Sequence, residues 1–186
     1  MRPPLISHDE LLDRLSNTFR TWGYAGATIE NLCTATGLKR ASLYHHFPGG
    51  KEEMASVVLD RAIEWMRANV IVHASGDDSE LARASKMTEA LNIFYGSGSN
   101  PCLFTQLNSE ASRSFCATRI RTFFEDLTSA LTELARSAGE PHRIAQLRAI
   151  EAVSLMLGSL VLVAATGDNE IFSQALSRVR ALAKSI

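Results

Sequence analysis

The chain has 186 residues, 46% of them hydrophobic, which suffices for one well-packed core with a small module attached or for two small domains sharing a boundary helix. Its 19 basic and 20 acidic residues leave a formal net charge of -1, so no bulk positive field marks it for nucleic acid, and any basic surface must be local. Three cysteines, Cys33, Cys102 and Cys116, an odd number with neither CxxC nor Cys/His ligand spacing, argue against a disulfide framework and against structural zinc. A reducing cytoplasm is the expected setting. The start, Met1 to Ser7, has no apolar core after its arginine, and the longest apolar stretch, Ala152 to Ala165, is shorter than the roughly 18 residues of a membrane span, so no membrane partner is expected.

Helical periodicity dominates, and the chain reads as all-α with about nine helices. Ser7 and Glu10 form a capping-box pattern that opens a first helix, with Leu11, Leu12, Leu15, Phe19 and Trp22 as its apolar stripe. Gly23 ends it. Thr28 then caps a short second helix that carries Ile29, Leu32 and Cys33 inward, and Gly37 stops it after barely two turns. A third short helix, about Lys39 to His46, runs into Pro48-Gly49-Gly50, and a much longer one follows from Lys51 to about His73. Beyond the Gly76-Asp77-Asp78 loop, a fifth helix spans about Ser79 to Tyr95, with Leu81, Ala84, Met87, Leu91 and Phe94 on one side. After the Gly96 to Pro101 loop come a short helix from Cys102 to about Ser112 and a long one from Arg113 to about Ala138. Gly139-Glu140-Pro141 separates that from an apolar helix ending near Gly167, and Asp168 caps the last.

Short helix, glycine turn, short helix is the geometry of a helix-turn-helix, which needs a small residue at the crossing and a glycine that tolerates positive φ. Cys33 and Gly37 fit those places. With Leu38 and Leu43 anchoring the second of the pair to the first helix, Arg40, Ala41, Ser42, Tyr44 and His45 are left on the outward face. Arg40 suits a bidentate pair with guanine, Ser42 a donor or acceptor on a base edge, and Ala41 a thymine methyl. Tyr44, His45, His46 and Lys51 suit phosphates, as do the helix N-termini at Thr28 and Lys51.

The run from Thr28 to Lys51, TIENLCTATGLKRASLYHHFPGGK, resembles the N-terminal domain of the TetR family of regulators, in which a Thr-capped helix leads through Gly to a Leu-Tyr-x-His-Phe recognition helix, here Leu43-Tyr44-His45-His46-Phe47. Phe19 and Gly23-Tyr24 extend the resemblance over about the first 55 residues. The Tyr-His-His-Phe-Pro-Gly-Gly-Lys form is similar to the LmrA/YxaF-like subgroup. In two places the chain departs from the family pattern. Lys39 stands where a serine often opens the recognition helix, which forgoes a capping bond worth about 1 kcal/mol but adds a cation. The connection Phe47-Pro48-Gly49-Gly50-Lys51 is one residue longer than usual.

The resemblance implies a helix-turn-helix DNA-binding domain over residues 1–50 and a helical ligand-binding and dimerisation bundle over 51–186. It implies a non-enzymatic repressor without cofactor or metal that binds a palindromic operator in double-stranded DNA as a homodimer. A small, largely apolar or aromatic effector would release it by tilting the long connecting helix. Its DNA-binding residues would be Thr28, Lys39, Arg40, Ala41, Ser42, Tyr44, His45, His46 and Lys51. The homodimer would form through the last two helices, with Val153, Leu157, Leu160, Val161 and Ala164 on one and Phe172, Ala175, Leu176, Val179 and Leu182 on the other. Gly158, Ser159 and Ala175 would allow close packing. The same all-round apolar pattern also suits a helix buried within its own chain. Candidate effector contacts are Trp65, Met66, Phe94, Phe104, Gln106, Leu107, Phe115, Phe123 and Met156. Residues of these types are more often plain core, and Gln106 and Asn108 are the polar side chains that would need partners if buried.

Other classes find less in the sequence. Cys102 or Cys116 with His73 or His142 supplies the ingredients of nucleophilic catalysis, but no local signature orders them. A redox-sensing regulator would pair Cys102 with Cys116, although nothing in their spacing demands a bond. Neighbouring His45 and His46 point about 100° apart on a helix, which suits DNA better than a shared metal.

Overall fold

The computed structural model describes residues 6–184, so most of the Met1 to Ser7 start lies outside the described residues. Ser7 caps the first helix, α1 (His8–Gly26), by accepting the Glu10 N–H at 3.1 Å. Only half of the expected capping box forms, because the Glu10 carboxylate turns to Arg14 one turn on, at 2.6 Å. Leu11, Leu12, Leu15 and Phe19 are buried as the stripe requires, but Trp22 is not: it is 57% exposed. The helix breaks at Gly23 (φ 64°, ψ 177°) and continues through one more short turn, so Trp22 sits just where the stripe loses its register.

The other helices among the described residues are α2 (Ile29–Thr36), α3 (Arg40–His46), α4 (Gly50–Asn69), α5 (Glu80–Phe94), α6 (Leu103–Gln106), α7 (Arg113–Ser137), α8 (His142–Thr166) and α9 (Glu170–Arg180). The expected long fourth helix stops at Asn69, and its last stretch becomes a 3-10 turn over Ile71–Ala74. The expected sixth helix shrinks to four residues followed by a 3-10 turn over Glu110–Ser112, where the Ser109 and Ser112 hydroxyls cap one another. Asp168 does satisfy an orphan N–H of the last helix, that of Glu170 at 3.0 Å, but from the position before the N-cap, Asn169.

Tertiary contacts divide the chain into two compact units, one of Met1–Ala62 with Leu103–Ile120, the other of Ile63–Cys102 with Arg121–Ile186. The division falls within α4 and α7 and adds the α6 segment to the N-terminal unit. In that unit α1 packs against α2 and α6, and α2 against α3. The middle of α4 is tied down by charge. Arg61 donates to Asp13 of α1 at 2.7 Å, and Nη1 of Arg119 of α7 is shared between both oxygens of Asp60 at 2.8 Å while its Nη2 donates to the Ser56 hydroxyl at 3.0 Å.

In the second unit α9 packs against α8 and α5. Its apolar residues Phe172, Ala175, Leu176 and Val179, and Leu182 in the turn after it, are buried there, and the Tyr95 and Phe172 rings meet edge to face at 5.7 Å. Arg148 of α8 pairs with the buried Glu140 and donates to the carbonyls of Ala181 and Lys184, holding the final turn against α8. Arg83, also buried, bridges the Ala74 carbonyl and the Ser137 hydroxyl. Leu81, expected beside Ala84 and Met87, faces outward instead.

Candidate nucleic-acid interface

The sequence Thr28-Ile29-Glu30-Asn31 builds a reciprocal cap at the head of α2. The Thr28 hydroxyl accepts the Asn31 N–H, and the Asn31 amide oxygen accepts the Thr28 N–H, each at 3.1 Å. At the other end Gly37 takes the left-handed conformation (φ 72°) and returns its N–H to the Cys33 carbonyl, which stops α2 and starts the turn without the penalty a Cβ would add. Arg14 of α1 donates to the carbonyls of Ala35 and Thr36 at 3.3 Å, giving the C-terminal end of α2 the cation its own last turn lacks. Sequence reasoning missed Arg14, since nothing local links it to a helix some twenty residues away.

Beyond the turn, Leu43 is fully buried and Phe47 nearly so, and they seat α3; Leu38 is only half-buried. Lys39 occupies the N-cap without a side-chain capping bond, as its chemistry dictates. Lys39, Arg40, Ala41, Ser42, Tyr44, His45 and His46 are all exposed or partly so, and α3 contains no carboxylate. The Arg40 guanidinium lies 5.6 Å from the Tyr44 ring centroid, one turn away, so the two side chains preorganise each other. The Tyr44 ring also rests against Gly50, where a Cβ would stand 3.3 Å from it. The His45 and His46 rings stand edge to face with centroids 6.1 Å apart.

Lys51 is placed differently. It is half-buried, its Nζ donates to the Tyr24 carbonyl at 2.9 Å, and it sits 4.4 Å from the centroid of the Tyr24 ring. That ring in turn stacks on Phe19 and meets Phe115 edge to face at 5.1 Å, and its burial raises the phenol above its ordinary pKa.

The candidate effector contacts divide between the units. Phe104, Gln106, Leu107 and Phe115 belong to the N-terminal one, where α6 and the turn after it pack on α1; Gln106 lies close against Gly23. Trp65, Met66, Phe94, Phe123 and Met156 belong to the other, with Trp65 and Phe94 in ring contact at 5.2 Å. Met66, Phe104, Leu107, Phe123 and Met156 are buried core side chains. Asn108 faces solvent, so it needs no buried partner. A surface groove of about 590 Å³ lies elsewhere, between α7 and α8, with Arg121, Thr128, Arg136, His142 and Ile150 on its walls; no sequence signal marked it.

Burial within the chain divides the expected dimer residues. Val153 and Leu160 are buried, as are Phe172, Ala175, Leu176, Val179 and Leu182 of α9 and the turn after it, whereas Leu147, Leu155, Gly158, Val161, Leu162 and Ala165 face outward, Val161 at 70% exposure. Contrary to the expectation from sequence, α8 is long and apolar enough to cross a membrane by length and composition, but it packs into the bundle against α9. Cys102 and Cys116 are both buried and neither is in a disulfide, and burial pushes Cys116 up to about 11, the opposite of an activated nucleophile.

Comparison with known proteins agrees with this geometry. Residues 11–58 match the family model described as bacterial regulatory proteins, tetR family. The chain is 31% identical over 64 residues to the HTH-type transcriptional regulator LmrA of Bacillus subtilis, covering 34% of each chain. It is 41% identical over 51 residues to the HTH-type transcriptional repressor AcnR of Corynebacterium efficiens, covering 27% of each. The matched segment thus spans about a third or less of these curated relatives. A TetR transcriptional regulator from Legionella pneumophila superposes with a TM-score of 0.78 over 95% of this chain and 97% of its own, at 22% identity, a likeness that speaks for the fold alone. With the N-terminal signature of that family over residues 11–58 and, over nearly its whole length, an all-α fold like that of a solved TetR regulator, the chain is similar to the TetR family of bacterial regulatory proteins.

Proposed function

We propose that the protein is a cytoplasmic, ligand-responsive transcriptional repressor that binds a palindromic operator as a homodimer. The observation that carries this reading is α3: a seven-residue helix seated by one buried leucine, with its other side chains exposed, basic residues at both ends and no acid. Arg40, Ala41 and Ser42 read base edges, while Thr28, Lys39, Tyr44, His45 and His46 position the helix on phosphates. Residues 1–50 form the DNA-binding module and 51–186 the regulatory one.

The outward apolar face of α8 supports the dimer. A surface of that width and composition is costly to leave in water, and a second copy related by a twofold axis would cover it. Two copies of α3 then address two half-sites one helical turn or more apart. The effector is a small, largely apolar or aromatic molecule held among the aromatic and methionine side chains around Trp65 and Phe94, and it acts by shifting the population of arrangements of α4. The names of LmrA and AcnR, a regulator and a repressor, support the direction of control.

Selection of duplexes from a random-sequence pool tests the reading. A near-palindrome should emerge, bound with an affinity that falls steeply with salt. Failure to enrich any sequence would sink it. A thermal-shift screen of planar aromatic compounds tests the effector class, since a ligand specific for the native state raises the melting temperature to an extent set by its affinity and concentration.

A further inference from the structure

We infer that Lys51 is a positioning residue that sets the attitude of the recognition helix from inside the N-terminal unit, and is not a phosphate contact. The inference rests on the DNA-binding reading above and sharpens it. A lysine that greets phosphate on a helix N-terminus is expected to extend into water, but this one is half-buried and its ammonium is turned towards the end of α1. One N–H goes to the Tyr24 carbonyl at 2.9 Å, and the charge lies 4.4 Å from the Tyr24 ring centroid.

Both partners need it. Tyr24 lies in the short turn that follows the break at Gly23, so its carbonyl is among the last four of α1, the ones without helical partners, and α1 has no basic residue in its last turn. Lys51 supplies that cation from another helix, with the ring face adding a second attraction. The mechanical consequence follows from what Lys51 is joined to. It lies in the first turn of α4, whose entry is locked by Gly49 N–H on Glu53 at 2.7 Å and by Gly50 N–H on the Phe47 carbonyl at 2.9 Å. Gly50 is also the residue against which Tyr44 of α3 rests. The chain from Tyr44 through Gly50 to Lys51 therefore hangs on the end of α1, and the Tyr24 ring is itself wedged against Phe19 and Phe115. Loosening Lys51 lets the start of α4 and the end of α3 shift together, without removing any group that faces DNA.

The test is the salt dependence of affinity for the duplex selected by the unaltered protein, at a temperature where every variant is fully folded. Lys51→Met should lower affinity about tenfold at every salt concentration and leave the slope of log K against log salt unchanged. Lys39→Met, which removes an exposed cation, should flatten the slope, by about 0.9 for each phosphate it no longer neutralises. Tyr24→Leu, which leaves every charge in place, should reproduce the parallel fall of Lys51→Met and guards against a folding defect in the latter. A slope flattened by about 1.8 in Lys51→Met, one phosphate per protomer, would make it a phosphate contact and overturn the inference. So would unchanged affinity with only a lowered melting temperature, the mark of a purely structural role. If the unaltered protein selects no duplex at all, the DNA-binding reading itself falls, and this inference with it; a selected duplex whose slope Lys51 controls overturns the inference alone.

Discussion

Helices α3 and α8 both present bare faces, yet the faces differ in kind. The outward side of α3 is polar, cationic and seven residues long, so water satisfies it and it stands ready for a ligand that is itself wet and anionic. The outward side of α8 carries Leu147, Leu155, Val161 and Leu162 around Gly158, and water does not satisfy it. At about 25 cal/mol per Å² the hydrophobic term favours covering such a face with another apolar one. Exposure by itself therefore says little about function until the chemistry of the exposed atoms is considered.

The largest expected effect tests the α8 half of that contrast. Val161→Glu places a carboxylate on the apolar face of each copy, and burying it unpaired costs about 3 kcal/mol or more, so the dimer should weaken at least about a hundredfold in sedimentation equilibrium. The fold of each chain should survive, because Val161 makes little use of its own core. An unchanged dimer after this substitution would mean that α8 is not the subunit interface. Next in size is Arg40→Ala, expected to relax preference at one base position by about 1 to 3 kcal/mol while other positions keep theirs; a uniform weakening across all sequences would show that Arg40 touches phosphate and that the register assigned to α3 is off.

A smaller effect probes the unusual start of α3. Lys39→Ser supplies the missing N-cap bond and should stabilise the protein by about 1 kcal/mol in denaturant unfolding, while weakening operator binding through removal of a cation. Stability and affinity moving together would contradict that separation of roles. The smallest concerns Cys116, whose buried thiol holds its proton up to about 11. On unfolding the thiol returns to its ordinary, lower pKa, so at alkaline pH the unfolded chain loses this proton first. The stabilisation is whole below the ordinary thiol range and fades as pH rises towards about 11. Cys116→Ala should flatten that alkaline decline, and at neutral pH native Cys116 should resist alkylation that reaches the less buried Cys33. Rapid modification of Cys116 in the folded protein would revive a thiol-based signal.

Local sequence was enough to place several helix starts and stops. Ser7, Thr28, Gly37 and Gly167 each act through a hydrogen bond or a backbone angle closed within four residues, so their roles are legible without knowledge of the fold. The same holds for Leu43 against the exposed remainder of α3, because a short helix with one large aliphatic side chain has only one way to face a core. Tertiary structure alone decided which side of a helix was covered when both sides were apolar. The periodicity of α8 carries no phase, so its buried Val153 and Leu160 and its bare Leu147 and Val161 look alike in sequence, and the apolar stripe of α9 is covered by α5 and α8 of its own chain, which its sequence alone does not show. Trp22 and Leu81 sit outside their expected cores, and Lys51 bends inward to a carbonyl 27 positions away, because the partners that draw or refuse a side chain come from distant parts of the chain, which no local pattern of residues records.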